Sequence, residues 1–326
     1  MKRQLILSAI VVAGLGAAGL GQMVREAPAV AQGPSLPGIT EIEQVADNVY
    51  KIFGAGGNTV VFVKDDGVVL VDTKLPGNGE AILAEVRKIT DKPVTMIINT
   101  HSHPDHVGSN QFFKDAKPDI AVVAQAHTAK RMAQPSGPFP ANPATQEFGD
   151  KLTLGTGKDQ IDLYYFGPGH TDGDAFVVFP AAKTIMMGDI MAWSMAPLID
   201  PGSGGSAVKL ADTLEQAVAG IQGVEKVIEG HGYVTDWQRF VDFAAFSRAV
   251  VEESKKAVEA GKTPKDVVAA LVATGKYDVF LKDEVLKGLE YGGTGKARAQ
   301  INAIVAMQEL RGEKPQLIMG LPPEQQ

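Results

Sequence analysis

The sequence predicts an α/β fold, on three observations. Short apolar runs of strand length recur between residues 49 and 228, separated by helical stretches and turns bearing glycine or proline. Several of these runs end beside a histidine or aspartate next to glycine. Loops beyond strand ends are where α/β proteins place ligands, and glycine lets backbone approach closely. After residue 236 the apolar spacing becomes helical.

The elements follow in order. Lys2 and Arg3 precede an apolar run from Leu5 to about Leu20, and Ala29-Val30-Ala31 supplies small residues beyond it. That is the layout of a signal peptide covering residues 1–31. The run is short and glycine-rich for a spanning helix, which needs about 20 apolar residues. Residues 32–40, with Gly33, Pro34, Pro37 and Gly38, read as a linker. Strands are expected at 49–53, 59–64 and 68–73, with Asp65-Asp66-Gly67 as the hairpin turn between the last two. A helix at 79–89, a buried strand at 94–100, a helix at 105–114 and a strand at 120–124 complete the first half. The second half has strands at 150–154, 161–166, 175–179 and 184–187, and an apolar run at 226–228. Helices follow at 236–260, from Thr263 with Pro264 in the first turn, and at 296–310. The irregular stretches 133–143 and 190–206 are expected as substrate walls, with 54–58 as a mobile rim.

Residues 101–106, His-Ser-His-Pro-Asp-His, hold four metal-ligand side chains: His101, His103, Asp105 and His106. Imidazole and carboxylate together suit zinc and related divalent ions. Four such groups in six residues exceed what one tetrahedral ion takes from so short a loop, so the spacing suggests two ions. His101 and His103 lie two apart in extended backbone and point to the same side. His170, Asp189 and His231 each sit just beyond an apolar run, beside glycine. His127 lacks that context and reads as a surface residue opening a helix. Asp72, at the end of the 68–73 strand, is expected either to cap that strand or to hydrogen-bond a ligand histidine.

This ordered set, His-x-His-x-Asp-His followed by single His170, Asp189 and His231, resembles the metallo-β-lactamase superfamily. The resemblance covers about residues 41–240. It implies a four-layer αβ/βα sandwich with a two-metal site between the sheets, followed by a helical C-terminal extension over 241–326. By position it implies that His101, His103 and His170 hold one ion, that Asp105, His106 and His231 hold the other, and that Asp189 bridges them. Two zinc ions are expected, with iron or manganese as alternatives. Such a pair lowers the pKa of a bridging water and polarises a scissile carbonyl, so no side-chain nucleophile is needed. Asp105 is expected to steer the nucleophile and shuttle a proton besides ligating.

Composition narrows the substrate. The 326 residues are 44% hydrophobic and 21% charged, with formal net charge −7. Cleavage after Ala31 would leave 28 basic and 37 acidic residues, net −9. No basic run exceeds two residues, which argues against nucleic acid. A periplasmic or secreted location is expected, with no stable membrane association after cleavage and a small-molecule substrate. The chain has no cysteine, so neither a disulfide nor a bridging thiolate exists, and Asp189 stands at the bridging position. The thiolate-type β-lactamases hold the substrate carboxylate with a lysine three residues beyond that position; here it is Ala192, with Ser194 as the nearest substitute. Trp193 and Met191, with Met195, are expected to form an apolar acyl wall. An ester, thioester or lactone is therefore the first expectation. β-Lactam hydrolysis is the second, and an iron-loaded redox or metal-binding accessory protein the third.

Overall fold

Two mixed β-sheets face each other through a buried apolar layer, and helices cover both outer faces. The structure, a computed structural model, describes residues 38–283 and 293–321. The expected signal peptide and residues 32–37 of the expected linker lie outside the described residues, as do residues 284–292 and 322–326.

The first sheet contains β1 (Glu43–Ala46), β2 (Val49–Ile52), β3 (Thr59–Val63), β4 (Val68–Val71), β5 (Val94–Asn99), β6 (Ala121–Gln125) and β7 (Gln146–Phe148), in that spatial order. β1 to β4 pair antiparallel, and β4 to β7 pair parallel. The expected hairpin closes where Lys64 N donates to Gly67 O at 2.8 Å. The second sheet contains β8 (Lys151–Leu154), β9 (Ile161–Tyr164), β10 (Phe176–Phe179), β11 (Thr184–Met186), β12 (Lys226–Ile228) and β13 (Val234–Asp236). Only β11 and β12 pair parallel in it.

Strand alternation builds the layers. In β4, Val69 and Val71 face the second sheet while Val68 and Leu70 face the outer helices. Phe62 of β3 meets Phe179 of β10 across the interior, with ring centroids 4.7 Å apart. Each such buried side chain contributes about 1.5–3 kcal/mol relative to exposure. The outer face of the first sheet is covered by α1 (Gly79–Arg87), α2 (Pro104–Val107), α3 (Asn110–Ala116) and α4 (Ala126–Met132). The outer face of the second sheet is covered by α5 (Ala207–Gly220), α6 (Trp237–Glu259), α7 (Pro264–Ala273) and α8 (Gly295–Leu310). The four-layer αβ/βα arrangement is thus present.

Three local differences from the sequence reading have physical causes. The helix expected over 105–114 is broken into α2 and α3. Gly108 N donates to Lys74 O at 2.9 Å, and Gly108 abuts Pro76 and the Pro104 carbonyl with no room for a Cβ. The sequence reading missed α5, whose apolar positions Leu210, Leu214 and Ala217 bury against the sheet. It also missed the short strands β1, β7 and β13, which lie at or near sheet edges, where little apolar signal is needed.

The C-terminal helices share one buried cluster with α5 and β10 to β12. Residue 240, the expected boundary of the extension, falls inside α6. Thr263 and Asp266 form the capping box that starts α7, with Pro264 at its first position. Among the described residues no helix is long and apolar enough to cross a membrane.

Candidate metal centre

The C-terminal ends of β4, β5, β9, β11 and β12 converge at one edge of the sandwich. Asp72, His101, His170, Asp189 and His231 lie on the loops that leave those ends. Chain direction therefore gathers residues that are up to 159 positions apart, from Asp72 to His231.

Three groups of side chains there could each hold an ion: His101, His103 and His170; His101, His106 and Asp189; and Asp105, His106 and His231. Within each group the ligand atoms lie within 4.8 Å of one another. Asp189 sits among the histidines. Its Oδ1 is 3.2 Å from His106 Nε2, and its Oδ2 is 3.3 Å from His231 Nε2 and 3.9 Å from His170 Nε2. Asp105 Oδ2 is 3.2 Å from His231 Nε2.

Neighbouring acceptors set which nitrogen each ring turns inward. A carboxylate or carbonyl oxygen can only accept, so the imidazole nitrogen touching it must donate and the other must carry the lone pair. Asp72 Oδ2 lies 2.7 Å from His106 Nδ1, which turns His106 Nε2 toward the cluster. Asp200 Oδ2 lies 3.0 Å from His103 Nε2, leaving Nδ1 inward. The Leu198 carbonyl lies 2.5 Å from His170 Nδ1, leaving Nε2 inward. Thr100 Oγ1 donates to Asp72 Oδ2 at 2.7 Å, so it accepts from His101 Nδ1 at 3.0 Å.

The donor set fits a metal on this structure's own terms. His101 Nε2 is buried with no hydrogen-bond partner among the described residues. His103 Nδ1 and His170 Nε2 face each other at 3.0 Å with lone pairs inward, an arrangement that favours a shared cation. Burial opposes the charging of His106, yet Asp189, Asp105 and Asp72 hold it well above the ordinary histidine value. Burial, then His106, His170 and His103, push His101 well below it. Burial also opposes ionisation of Asp189, but His231 and His106 hold its carboxyl well below the ordinary carboxylate value. Cations are thus welcome at one side of the cluster, and a neutral imidazole is ready at the other.

Asp72 performs both roles expected as alternatives. Its Oδ1 accepts from Thr100 N at 2.8 Å, joining the ends of β4 and β5, while Oδ2 serves His106. Gly57 is required by contact: a Cβ there would collide with the His106 ring. The 54–58 segment, expected as a mobile rim, is instead largely buried beneath the cluster, with Asn58 Nδ2 donating to Glu229 O at 2.8 Å.

The cluster opens into a cavity of about 370 Å³. Trp193 lines it and stacks on His231, with centroids 4.3 Å apart and planes 19° apart. Met191 and Ser194 do not line it. Met191 is fully buried in the outer core against the helices, and Met195 is also buried. Ser194 is committed to Glu229: its backbone N donates to Oε2 at 2.7 Å and its hydroxyl to Oε1 at 2.6 Å. The reason is backbone geometry. Trp193 and Ser194 both have positive φ, 52° and 49°, which turns successive side chains away from simple alternation. The apolar wall comes instead from Leu75, Phe139, Leu198, Leu317 and Met319. The 133–143 segment, expected as a wall, also lines a neighbouring groove of about 910 Å³, which shares His103 and Phe139 with the first cavity. His127 is exposed at the start of α4, outside the cluster.

The sequence reading missed Asp200 and Glu229. Asp200 lies in an irregular loop and Glu229 beside a ligand candidate, so neither had a periodic signal. Burial pushes Glu229 up to about 7. The folded protein therefore binds that proton more tightly than the unfolded chain. Stability from this group is present below about pH 4.5, declines between 4.5 and 7, and is absent above. Glu229→Gln keeps an acceptor for Ser194 N and removes the ionisation. Chemical denaturation should show the variant more stable than wild type at pH 8, by roughly 3 kcal/mol at most, and no different at pH 4. A gain that is equal at both pH values would sink this account.

A family model described as the metallo-β-lactamase superfamily matches residues 53–192. A type 2 metallo-β-lactamase from Elizabethkingia meningoseptica is 29% identical over 242 residues, 70% of this chain and 87% of that protein. The family-model match spans the ligand loop and the Asp189 turn. Over these residues the chain is similar to the metallo-β-lactamase superfamily, and its fold is the metallo-β-lactamase fold. Among solved superfamily-type folds, a metallo-β-lactamase from Pontibacter korlensis superposes with TM-score 0.56 at 18% identity. It covers 65% of this chain and 99% of its own. The sec-alkylsulfatase Pisa1 from a Pseudomonas species superposes with TM-score 0.62 at 15% identity, over 82% of this chain and 50% of that one. This similarity to metallo-β-lactamases supports an enzyme of hydrolase type, and the chain's His and Asp groups could hold metal.

Proposed function

We propose that this chain is an exported binuclear zinc hydrolase that cleaves an ester, thioester or lactone. The observation that carries the reading is the placement of Asp189, whose carboxylate lies within 4 Å of His170 from one ligand set and of His106 and His231 from the other. On this reading His101, His103 and His170 hold one ion, Asp105, His106 and His231 hold the second, and Asp189 spans both. Two divalent ions held there would supply a deprotonated water near neutral pH and polarise a carbonyl oxygen.

The chain's own residues do the rest. Asp105 lies beside His231 and is placed to hold and pass a proton at its Oδ2. Asp72, Asp200, Thr100 and the Leu198 carbonyl hold four rings in the tautomer that ligates. Trp193 shields His231 from water on one face. The proposed substrate is a small molecule, with no nucleic-acid partner and no stable membrane association after cleavage of the leader.

β-Lactam hydrolysis is the second reading, favoured by the 29% identity to a metallo-β-lactamase over most of that protein. It ranks second because position 192 is alanine and Ser194 is held by Glu229. The test is metal analysis of the purified protein together with specificity constants for a lactone, an acyl thioester and a chromogenic cephalosporin. We expect about two zinc ions per chain and the cephalosporin as the poorest substrate. One iron and no zinc would overturn the metal assignment. A cephalosporin preferred by about a hundredfold, or roughly 2.7 kcal/mol of transition-state binding, would reverse the substrate ranking.

A further inference from the structure

Residues 313–321 form a strap that runs from the end of α8 to the cavity over the cluster. Gly312 takes a left-handed φ of 73°, and Glu313 N donates to Gln308 O at 2.9 Å, the turn that closes α8. Pro315 follows and blocks further helix. The chain then returns along α8, where Ile318 and Leu321 pack against Ala297, Ile301 and Ile304. Leu317 and Met319, on either side of Ile318, line the cavity instead. They are 44% and 47% exposed, two large apolar side chains left open beside the cluster.

Helix α8 fixes where the strap starts. Glu309 accepts from Ser206 Oγ at 2.9 Å and from the backbone N of Ala207 and Val208 at 3.2 and 3.0 Å, pinning the helix to the start of α5. In the middle of α8, Asn302 Nδ2 donates to Pro197 O at 2.7 Å. Pro197 adjoins Leu198, whose carbonyl orients His170 and whose residue lines the same cavity. The strap itself is held differently. Among the described residues none of 314–320 makes a hydrogen bond or an ion pair. Apolar packing on α8 holds it, so its cavity side can adjust to a ligand without breaking a polar contact.

The cavity is chemically two-sided. Apart from the donors and the buried Arg298, every residue lining it is apolar. We propose that the strap is the acyl-recognition element of this site: Leu317 and Met319 close over an unbranched apolar acyl chain and determine which chain length is cleaved. The inference rests on the ester-hydrolase reading above and names its substrate class. Leu75, Phe139 and Leu198 take the other flanks of the chain, and Trp193 carries the wall down to His231. A cavity of about 370 Å³ is at the small end of ligand sites, which suits one slender chain better than a bulky ring system. Each methylene that leaves water for this wall adds binding energy away from the scissile carbonyl.

Two esters with one leaving group test it: p-nitrophenyl butyrate and p-nitrophenyl octanoate, which differ only in the length of the acyl chain. The zinc-loaded wild type should prefer the octanoate ester in kcat/KM by about fiftyfold, or roughly 2.3 kcal/mol, a little below what complete burial of the added methylenes gives. Leu317→Ser combined with Met319→Ser should bring that ratio below about tenfold, and Leu317→Met combined with Met319→Leu should keep most of it. Both side chains are nearly half exposed, so neither pair removes core. The second readout needs no turnover. The chain has no cysteine, so Leu317→Cys carries a single thiol. On metal-free protein octanamide should slow alkylation of that thiol by N-ethylmaleimide about threefold or more, and acetamide should not. Val272→Cys, on α7 and outside the cavity, is the control and should be alkylated at one rate throughout. A wild-type ratio below about threefold overturns the proposal. So does an unchanged ratio in the double serine variant, or an alkylation rate at Leu317→Cys that octanamide leaves unaltered. If neither ester is cleaved, the ester-hydrolase reading fails, and the alkylation comparison by itself decides whether the strap holds an apolar chain.

Discussion

Asp189→Ala should retain its fold, lose one of the two ions and lose about three orders of magnitude in kcat/KM, since bridging charge stabilisation is worth several kcal/mol at about 1.4 kcal/mol per tenfold. The expectation follows from position. Asp189 is the carboxylate within 4 Å of histidines from both halves of the cluster, namely His106, His170 and His231. Removing it leaves each half with imidazoles and no shared anion. Its side chain is partly exposed to the cavity and packs no core, so circular dichroism and the melting profile of the metal-free protein should change little. Inductively coupled plasma analysis and steady-state kinetics on one preparation would check both effects. Full activity with two ions bound would show that Asp189 does not bridge. His127→Ala, on the exposed start of α4, is the control and should leave metal content and rate unchanged.

The second large effect belongs to a residue that touches no substrate. Asp72→Asn should lower affinity for metal about 10- to 100-fold, the range for losing a partner that orients a ligand histidine. The physical reason is the tautomer. The asparagine oxygen can still accept from Thr100 N, but its Nδ2 then faces His106 Nδ1 as a donor. His106 must offer its lone pair at Nδ1, which places a proton on Nε2, the nitrogen aimed at the cluster. Asn also tolerates the positive φ of 61° at this position, so backbone strain does not confuse the result. Asp72→Ala should be worse. It strands the buried Thr100 N, Thr100 hydroxyl and His106 Nδ1, each about 1–3 kcal/mol if left unsatisfied. Zinc titration against a chelating dye, with urea denaturation of the metal-free forms, separates affinity from stability. An Asp72→Asn protein with unchanged zinc affinity would overturn the tautomer argument.

The ligand loop was legible because its chemistry is local. His101, His103, Asp105 and His106 fall within six residues, and their spacing alone suggested two ions. His170, Asp189 and His231 were legible because each follows an apolar run beside glycine, and chain direction in an α/β sandwich brings such ends together. The four layers were implied by the resemblance those residues carry, and strand alternation at Val69, Leu70 and Val71 then sets which face meets which neighbour.

What stayed out of reach depends on backbone turns and on contacts between distant residues. Met191 and Ser194 were expected on the cavity wall, but positive φ at Trp193 and Ser194 redirects the chain, and no periodicity records that. Asp200 orients His103 across 97 residues, and Glu309 pins α8 to α5 across about a hundred. By itself the sequence determined which histidines and aspartates could serve as donors and the fold that gathers them, because side-chain chemistry and strand periodicity are properties of short segments. Only the tertiary structure decided which wall the substrate meets and which tautomer each histidine presents, because both depend on hydrogen bonds and packing between segments that no local pattern pairs.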